Sequence, residues 1–374
     1  MTEGAAGVGP EAEARGTSGP PSSLAALVTE RAVVVCCGSG GVGKTTVSAT
    51  FALAAARVGR RSCVVTVDPA RRLADALGVQ SLPNTPTEVT GDWPGKLHAL
   101  MLDSKGTFDD LVHRYSRTPE QAESILSNRL YQNLAGALSG TQEYMAMEKL
   151  YELVQSAEFD VVVVDTPPTR NALDLLDAPR RLTRFLENRL FRALLVPTRI
   201  SLRAVGMAAQ ALLRTISKVA GAEIVQDAVT FFQAFEGMED GFRSRASAVH
   251  ELLNDPGTAY VLVTSARPDA VSEAAFFAEK LRERAVTVAA LVVNRIAPSF
   301  GDGEGGPREM PGDPALAALE ENLATLNAQA SREQAAFAGL AAQVAPAPVG
   351  KIPLFGEDVH ELEGLRRAAD CLFG

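Results

Sequence analysis

One stretch constrains this chain more than any other: Val33-Val34-Val35-Cys36-Cys37-Gly38-Ser39-Gly40-Gly41-Val42-Gly43-Lys44-Thr45-Thr46. An apolar, β-branched run ends in a glycine-rich turn, the turn ends in Gly-Lys-Thr-Thr, and a helix-compatible segment, Val47 to Val58, follows. This is the strand, loop and helix of a phosphate-binding loop, G-x-x-x-x-G-K-[ST]. Glycines let the backbone bend around a polyphosphate, so that its N–H groups and the following helix N-terminus face anionic oxygens. Gly38, Ser39, Gly40, Gly41, Val42 and Gly43 are therefore predicted to cradle phosphate. Lys44 adds a mobile positive charge for the β- and γ-phosphates, and the Thr45 hydroxyl is a candidate Mg²⁺ ligand. Thr46 closes the loop.

The remaining segments fall into place around this unit. Strands are expected at Ala32–Cys37, Ser62–Val67, Leu97–Leu102, Phe159–Val164, Ala259–Val263 and Val286–Val293. Near-continuous apolar runs of this kind suit parallel strands covered on both faces. Between Thr107 and Gln155 the pattern is helical, with helix starts after Ser104, after Thr118-Pro119 and at Thr141. Met145, Met147, Leu150 and Leu153 are placed on the buried side of the third of these. Leu173 to His250 reads as almost wholly helical. There Val205, Ala209, Leu212, Leu213, Ile216 and Val219 keep a 3.6-residue period opposite Arg203, Gln210, Arg214 and Lys218. Further helices are expected at Ser272–Arg284, Ala315–Ala336 and from Val359. Alternating strands and helices predict an α/β fold, a doubly wound and mostly parallel sheet with a helical subdomain. Residues 1–23 read as a disordered tail. Residues 24–374 form the domain, with helical insertions near 107–155 and 173–250. Phe300–Pro314 reads as a mobile loop.

Bulk properties exclude several classes. With a net charge of −9, the chain lacks the basic balance of a nucleic-acid partner. No apolar run is long enough for a membrane span. The acidic start without an apolar core is not a secretory signal. Cys36, Cys37, Cys63 and Cys371 form no C-x-x-C pair, which argues against a zinc or redox motif and suits a reducing cytoplasm. Cys36 and Cys37, adjacent in a strand, are expected to face opposite ways as small buried hydrophobes.

Phosphoryl transfer to water needs a metal, a charge clamp and a group that orients the nucleophile. Two carboxylates stand at predicted strand ends, where ligands bind in open sheets of this kind. Asp165 follows four valines, as the acidic residue of a Walker B strand does, and is a candidate for holding Mg²⁺ through a water. Asp68 is a candidate for orienting or deprotonating the water. The competing reading for each is a helix cap, which Asp serves well.

Taken together, Gly38–Thr46, Val67-Asp68-Pro69-Ala70 and Asp165-Thr166-Pro167-Pro168-Thr169 resemble the ArsA family of arsenite-pump ATPases, which also contains the tail-anchored-protein-targeting ATPases. Gly140-Thr141-Gln142-Glu143, Val292-Val293-Asn294-Arg295 and Ile352-Pro353-Leu354-Phe355 extend the likeness, which is strongest to the actinobacterial branch. The resemblance implies a P-loop NTPase that binds ATP with Mg²⁺ and hydrolyses it in a nucleotide-sandwich dimer. It implies that Asp68 positions water, that Asp165 lies near Mg²⁺, and that Asn294 hydrogen-bonds adenine beside the segment from Pro353 to Phe355. The helical additions match the region where some relatives bind hydrophobic client helices.

The departures are informative. Family members usually carry a lysine directly after the first loop glycine, reaching the partner's phosphates across the dimer. Here the position is Ser39, with neither charge nor reach. Arg170 and Asn171 replace a usual glycine and histidine, and Arg170 is an alternative source of the missing cation. Two functions stay open: an ATPase subunit working in a homodimer or beside a lysine-bearing paralogue, and a nucleotide-gated module that binds a client or partner with little catalysis. A Rossmann dehydrogenase fits less well, because Lys44-Thr45-Thr46 favours polyphosphate. Arsenite transport is unsupported, since the metalloid-binding cysteines and the duplicated second half are missing.

Overall fold

A computed structural model describes residues 23–68, 70–129, 131–132, 141–167, 172–187, 227, 230–231, 234–300 and 314–374. The chain opens with α1 (Leu24–Glu30), β1 (Val33–Cys37), α2 (Lys44–Arg57), β2 (Arg61–Thr66), α3 (Arg72–Leu77), β3 (Thr87–Val89) and β4 (Lys96–Met101). There follow α4 (Ser104–Tyr115), α5 (Pro119–Leu126), α6 (Thr141–Gln155), β5 (Val161–Asp165) and α7 (Ala172–Glu187). The last part contains α8 (Glu239–Asn254), β6 (Thr258–Ser265), α9 (Pro268–Glu283), β7 (Val288–Ile296), α10 (Pro314–Val344), β8 (Val349–Pro353) and α11 (Leu362–Phe373).

The eight strands form one sheet in the order β3-β4-β2-β5-β1-β6-β7-β8. Every neighbouring pair is parallel except β3 with β4. Because side chains alternate across a strand, β1 feeds two cores. Val33, Val35 and Cys37 pack with Met147 of α6 and Val249 of α8 on one face. Val34 and Cys36 pack with Phe51 of α2 and Leu365 of α11 on the other. The two cysteines thus point in opposite directions, and burial pushes the Cys37 and Cys63 thiols up to about 12.

Met145, Met147, Leu150 and Leu153 are buried along α6, which packs on α4, α7 and β5. Phe231, Phe235 and Phe242 form an aromatic cluster with Tyr131, Phe108 and Tyr115. The amphipathic run from Leu202 to Val219, the tail before Ser23 and the segment 301–313 lie outside the described residues. Among the described residues no helix is long and apolar enough to cross a membrane.

Several boundaries differ from those expected. α2 begins at Lys44, because the phosphate loop runs directly into its first turn. α9 begins at Pro268, a residue preorganised for the first helical position. α10 extends to Val344, and α11 starts at Leu362 after the chain runs on from Val359. β3, β8, α1 and α3 were not expected. β3 and β8 are the sheet's edges, where one ladder of hydrogen bonds suffices and short strands carrying glutamate, glycine or proline are tolerated.

Candidate functional site

The loop after β1 is shaped by two glycines. Gly38 has φ +155, and a Cβ there would sit 2.1 Å from the Val263 carbonyl oxygen of β6. Gly43, at the N-cap of α2, is left-handed with φ 89 and ψ 30. A Cβ on Gly43 would fall 2.1 Å from Asn294 Nδ2. The loop carbonyl of Gly43 already accepts the Val47 N–H at 3.0 Å, so the helix starts without delay. Its unbonded first-turn amides then face the cleft.

Lys44 is the first residue of that helix and is buried. Its Nζ donates to the Ser39 carbonyl at 2.9 Å, folding the side chain back over the loop. Burial lowers the ammonium pKa, and the charges of Asp165 and Asp68 oppose that shift.

Asp165 ends β5 and is 1% exposed. In register, it is flanked by Cys36 on β1 and Thr66 on β2. Its Oδ2 accepts hydrogen bonds from Thr45 Oγ1 at 2.7 Å and Thr66 Oγ1 at 2.9 Å. Burial pushes its carboxyl up to about 6, while the two hydroxyls and Lys44 pull it down. Oδ1 is buried with no hydrogen-bond partner among the described residues. A buried carboxylate oxygen left without a partner is rare and is explained by an ion or water that completes it. With the Thr45 hydroxyl on the same carboxylate, the oxygen-only donor set suits a hard cation such as Mg²⁺.

Asp68 lies just beyond β2. Its Oδ1 accepts the Ala70 N–H at 3.0 Å, and its Oδ2 lies 3.4 Å from Arg72 Nη1. It therefore braces the turn into α3, and the residue lines the cleft. Asp68 does not cap α3, whose N-cap is Arg71, so the helix-cap reading of this residue does not hold.

Asn294 and Arg295 come from the far end of β7. Register shifts between Val293 and Ile296. Arg295 adopts φ 59, which costs a non-glycine residue about 1–2 kcal/mol. Asn294 is buried; its Nδ2 donates to the Val42 carbonyl at 2.9 Å, and its Oδ1 accepts the Arg295 N–H at 2.9 Å. One amide hydrogen and one lone pair remain for a ligand. Pro353 and Phe355 form the neighbouring wall, with Arg367 stacked 4.6 Å over the Phe355 ring.

These pieces enclose a cleft of about 420 Å³ that runs from Gly41, Gly43, Lys44 and Thr45, past Asp68 and Asn294, to Pro353 and Phe355. The fold thus gathers the loop, both carboxylates, Asn294, Pro353 and Phe355 at one end of the sheet. Ser39 is half-buried, and its backbone carbonyl accepts from Lys44. Arg170 and Asn171 lie outside the described residues. The sequence reading missed Thr66, Arg72 and the side chain of Arg295. Only Thr66 left a trace, as the last strand residue two positions before Asp68.

A parallel sheet with a glycine-rich loop between its first strand and helix, and a carboxylate at the end of the adjacent strand, defines an α/β P-loop NTPase. The family model described as an anion-transporting ATPase, ArsA, matches residues 31–305, and the chain belongs to this family. It is 32% identical over 168 residues to an ATPase GET3 of Malassezia globosa, covering 44% of this chain and 48% of that one. It is 28% identical over 263 residues to an ATPase ASNA1 homolog of Cryptosporidium parvum, covering 69% and 63%. An uncharacterized protein of Streptomyces coelicolor is 32% identical over 262 residues, covering 70% and 61%. The chain thus spans between about half and somewhat under two thirds of the length of these relatives.

Proposed function

We propose that the protein binds ATP and hydrolyses it to ADP and phosphate with Mg²⁺. The observation that carries this reading is the orphaned Asp165 Oδ1, buried beside the Thr45 hydroxyl at the foot of the phosphate loop. Thr45, and Asp165 through a water, would hold Mg²⁺, which when bound neutralises phosphate charge. The amides from Gly38 to Thr46 grip the β- and γ-phosphates. Lys44 leaves the Ser39 carbonyl for the phosphates, exchanging a neutral acceptor for an anionic one. Asp68 orients the attacking water from the cleft side, and for that its carboxylate turns away from Arg72. Asn294 offers its remaining donor and acceptor to adenine, against Pro353 and Phe355.

The relatives' names support an ATPase, and a nucleotide-sandwich dimer follows from the family resemblance. Whether the dimer is formed with a second copy or with an ArsA-like paralogue turns on Ser39. A neutral side chain there supplies no cation across an interface, and such a cation is worth about 10³–10⁵ in rate when an arginine finger provides it. The isolated chain is therefore expected to bind Mg·ATP and turn it over slowly, with faster turnover beside a lysine-bearing paralogue. The same serine favours a second reading, a nucleotide-gated module whose helical face holds a hydrophobic helical client or another partner. The buried free thiols fit a cytoplasmic setting.

Calorimetry with Mg·ATP, followed by turnover of the chain alone, mixed with candidate paralogues, and as Ser39→Lys, tests the proposal. Binding that disappears in Lys44→Ala and turnover that rises in Ser39→Lys are expected. If wild type takes up no Mg·ATP, or Lys44→Ala binds as well as wild type, the reading fails.

A further inference from the structure

Register alone makes Arg295 unusual. Val293 pairs with Lys351 and Ile296 with Pro353, so Asn294 and Arg295 together oppose the single residue Ile352. A bulge of this kind re-aims side chains, and bulges gather next to functional sites. The backbone of Arg295 is left-handed, a conformation that glycine or asparagine adopts more readily. Nothing about the bulge requires an arginine. Its N–H bond to Asn294 Oδ1 is a main-chain bond that glycine would also make. The long cationic side chain is therefore not explained by local structure.

Its surroundings supply an explanation. The side chain is exposed and lines the same cleft as Gly41, Gly43 and Lys44. Among the described residues its guanidinium makes one hydrogen bond, a long one of 3.4 Å from Nη1 to the Gly41 carbonyl of the loop. The other Lys and Arg side chains of the cleft are engaged: Lys44 with Ser39 and Arg72 with Asp68. Arg295 forms no ion pair with a carboxylate among the described residues. It is a cation held over a phosphate loop by a strained backbone, with only a weak neutral acceptor.

We propose that the Arg295 guanidinium binds the polyphosphate of a nucleoside di- or triphosphate, exchanging the Gly41 carbonyl for phosphate oxygens. The inference rests on the nucleotide reading of the cleft. It assigns to the chain a second phosphate cation, in cis, on a strand remote from the loop. Guanidinium suits this task because its fork meets two phosphate oxygens at once.

The test compares Arg295→Gly, Arg295→Gln and Arg295→Lys in the full chain. Arg295→Gly keeps the main-chain N–H and relieves the left-handed backbone, so its Tm should equal or exceed that of wild type. Calorimetric titration uses Mg·ADP and, separately, inorganic tripolyphosphate, which lacks base and ribose. The expected result is a loss of about tenfold in affinity for both probes in the Gly and Gln variants, with only part of it restored by Lys, which keeps the charge but not the fork. The salt dependence of binding should also become shallower in both. A less than threefold loss in Arg295→Gly, or a loss confined to Mg·ADP, overturns the inference while leaving the nucleotide site standing. If wild type binds neither probe, the reading of the cleft fails and this inference falls with it.

Discussion

Gly43 carries two burdens, and a double-mutant cycle separates them. Its φ of 89 would cost alanine about 1–2 kcal/mol for a left-handed backbone. In addition, the new Cβ would stand 2.1 Å from Asn294 Nδ2. That amide cannot move freely, because it is buried and bonded to the Val42 carbonyl at 2.9 Å. Displacing it breaks this bond and the Arg295 N–H bond to Oδ1, at about 1 kcal/mol each. Gly43→Ala is thus expected to lose about 3–4 kcal/mol. With an unfolding entropy near 2.1 cal/mol/K per residue, a 374-residue chain loses roughly 4–5 °C in Tm. In an Asn294→Ala background the clash partner is gone, and only the backbone cost of about 1–2 kcal/mol remains. The two substitutions should therefore couple by about 2 kcal/mol in nucleotide-free thermal or urea unfolding. Additivity to within about 0.5 kcal/mol would refute the claim that Asn294 sets the space around this glycine.

Three further outcomes follow from the same geometry. Arg245 Nε donates to both oxygens of the 1%-exposed Glu148 at 2.7 and 2.9 Å, with the guanidinium 4.0 Å over Tyr151. Arg245→Ala should therefore cost about 3–5 kcal/mol in urea unfolding, and Arg245→Met with Glu148→Leu should recover most of it; a loss below about 1 kcal/mol would contradict this. Asp165→Asn retains an acceptor for the Thr45 and Thr66 hydroxyls but removes the charge, so the nucleotide-free protein should stay folded while Mg²⁺ no longer strengthens ADP binding in calorimetry. Asp177 is held below its ordinary value of 3.8 by a hydrogen bond and charge from Arg284. Its folded state therefore prefers the ionised form. The stability it adds is present above about pH 4 and lost as pH falls further, so wild type and Asp177→Asn should differ in Tm near neutrality and converge in acid.

How far the sequence discloses this site depends on whether a residue's role is local or set by pairing. β1, β2, β5, β6 and β7 are covered on both faces, and their apolar runs announce them. The phosphate loop is a contiguous motif, and Asp165 is marked by the valines before it. The helical run after α7 leaves strong periodicity but falls mostly outside the described residues. Thr66 and Arg72 are different. Thr66 acts on a residue 99 positions away because β2 and β5 pair in a register no window of sequence displays. Arg72 acquires its partner only when the chain turns after Asp68.

Asn294 shows the limit most sharply. Its family position suggests a contact to the base, and the fold adds a contact to the loop. A carboxamide offers two hydrogens and two lone pairs. One of each is spent bracing Val42 and Arg295. The remaining pair has the donor–acceptor pattern that an adenine edge complements. Loop bracing and base recognition are thus compatible in one side chain, and the bracing fixes the orientation that recognition would need. Replacing Asn294 by Asp tests this coupling: the lost Nδ2 donor should leave the Val42 carbonyl unbonded and weaken tripolyphosphate binding as well as ADP binding. Loss of ADP binding alone would mean that the brace does not shape the loop.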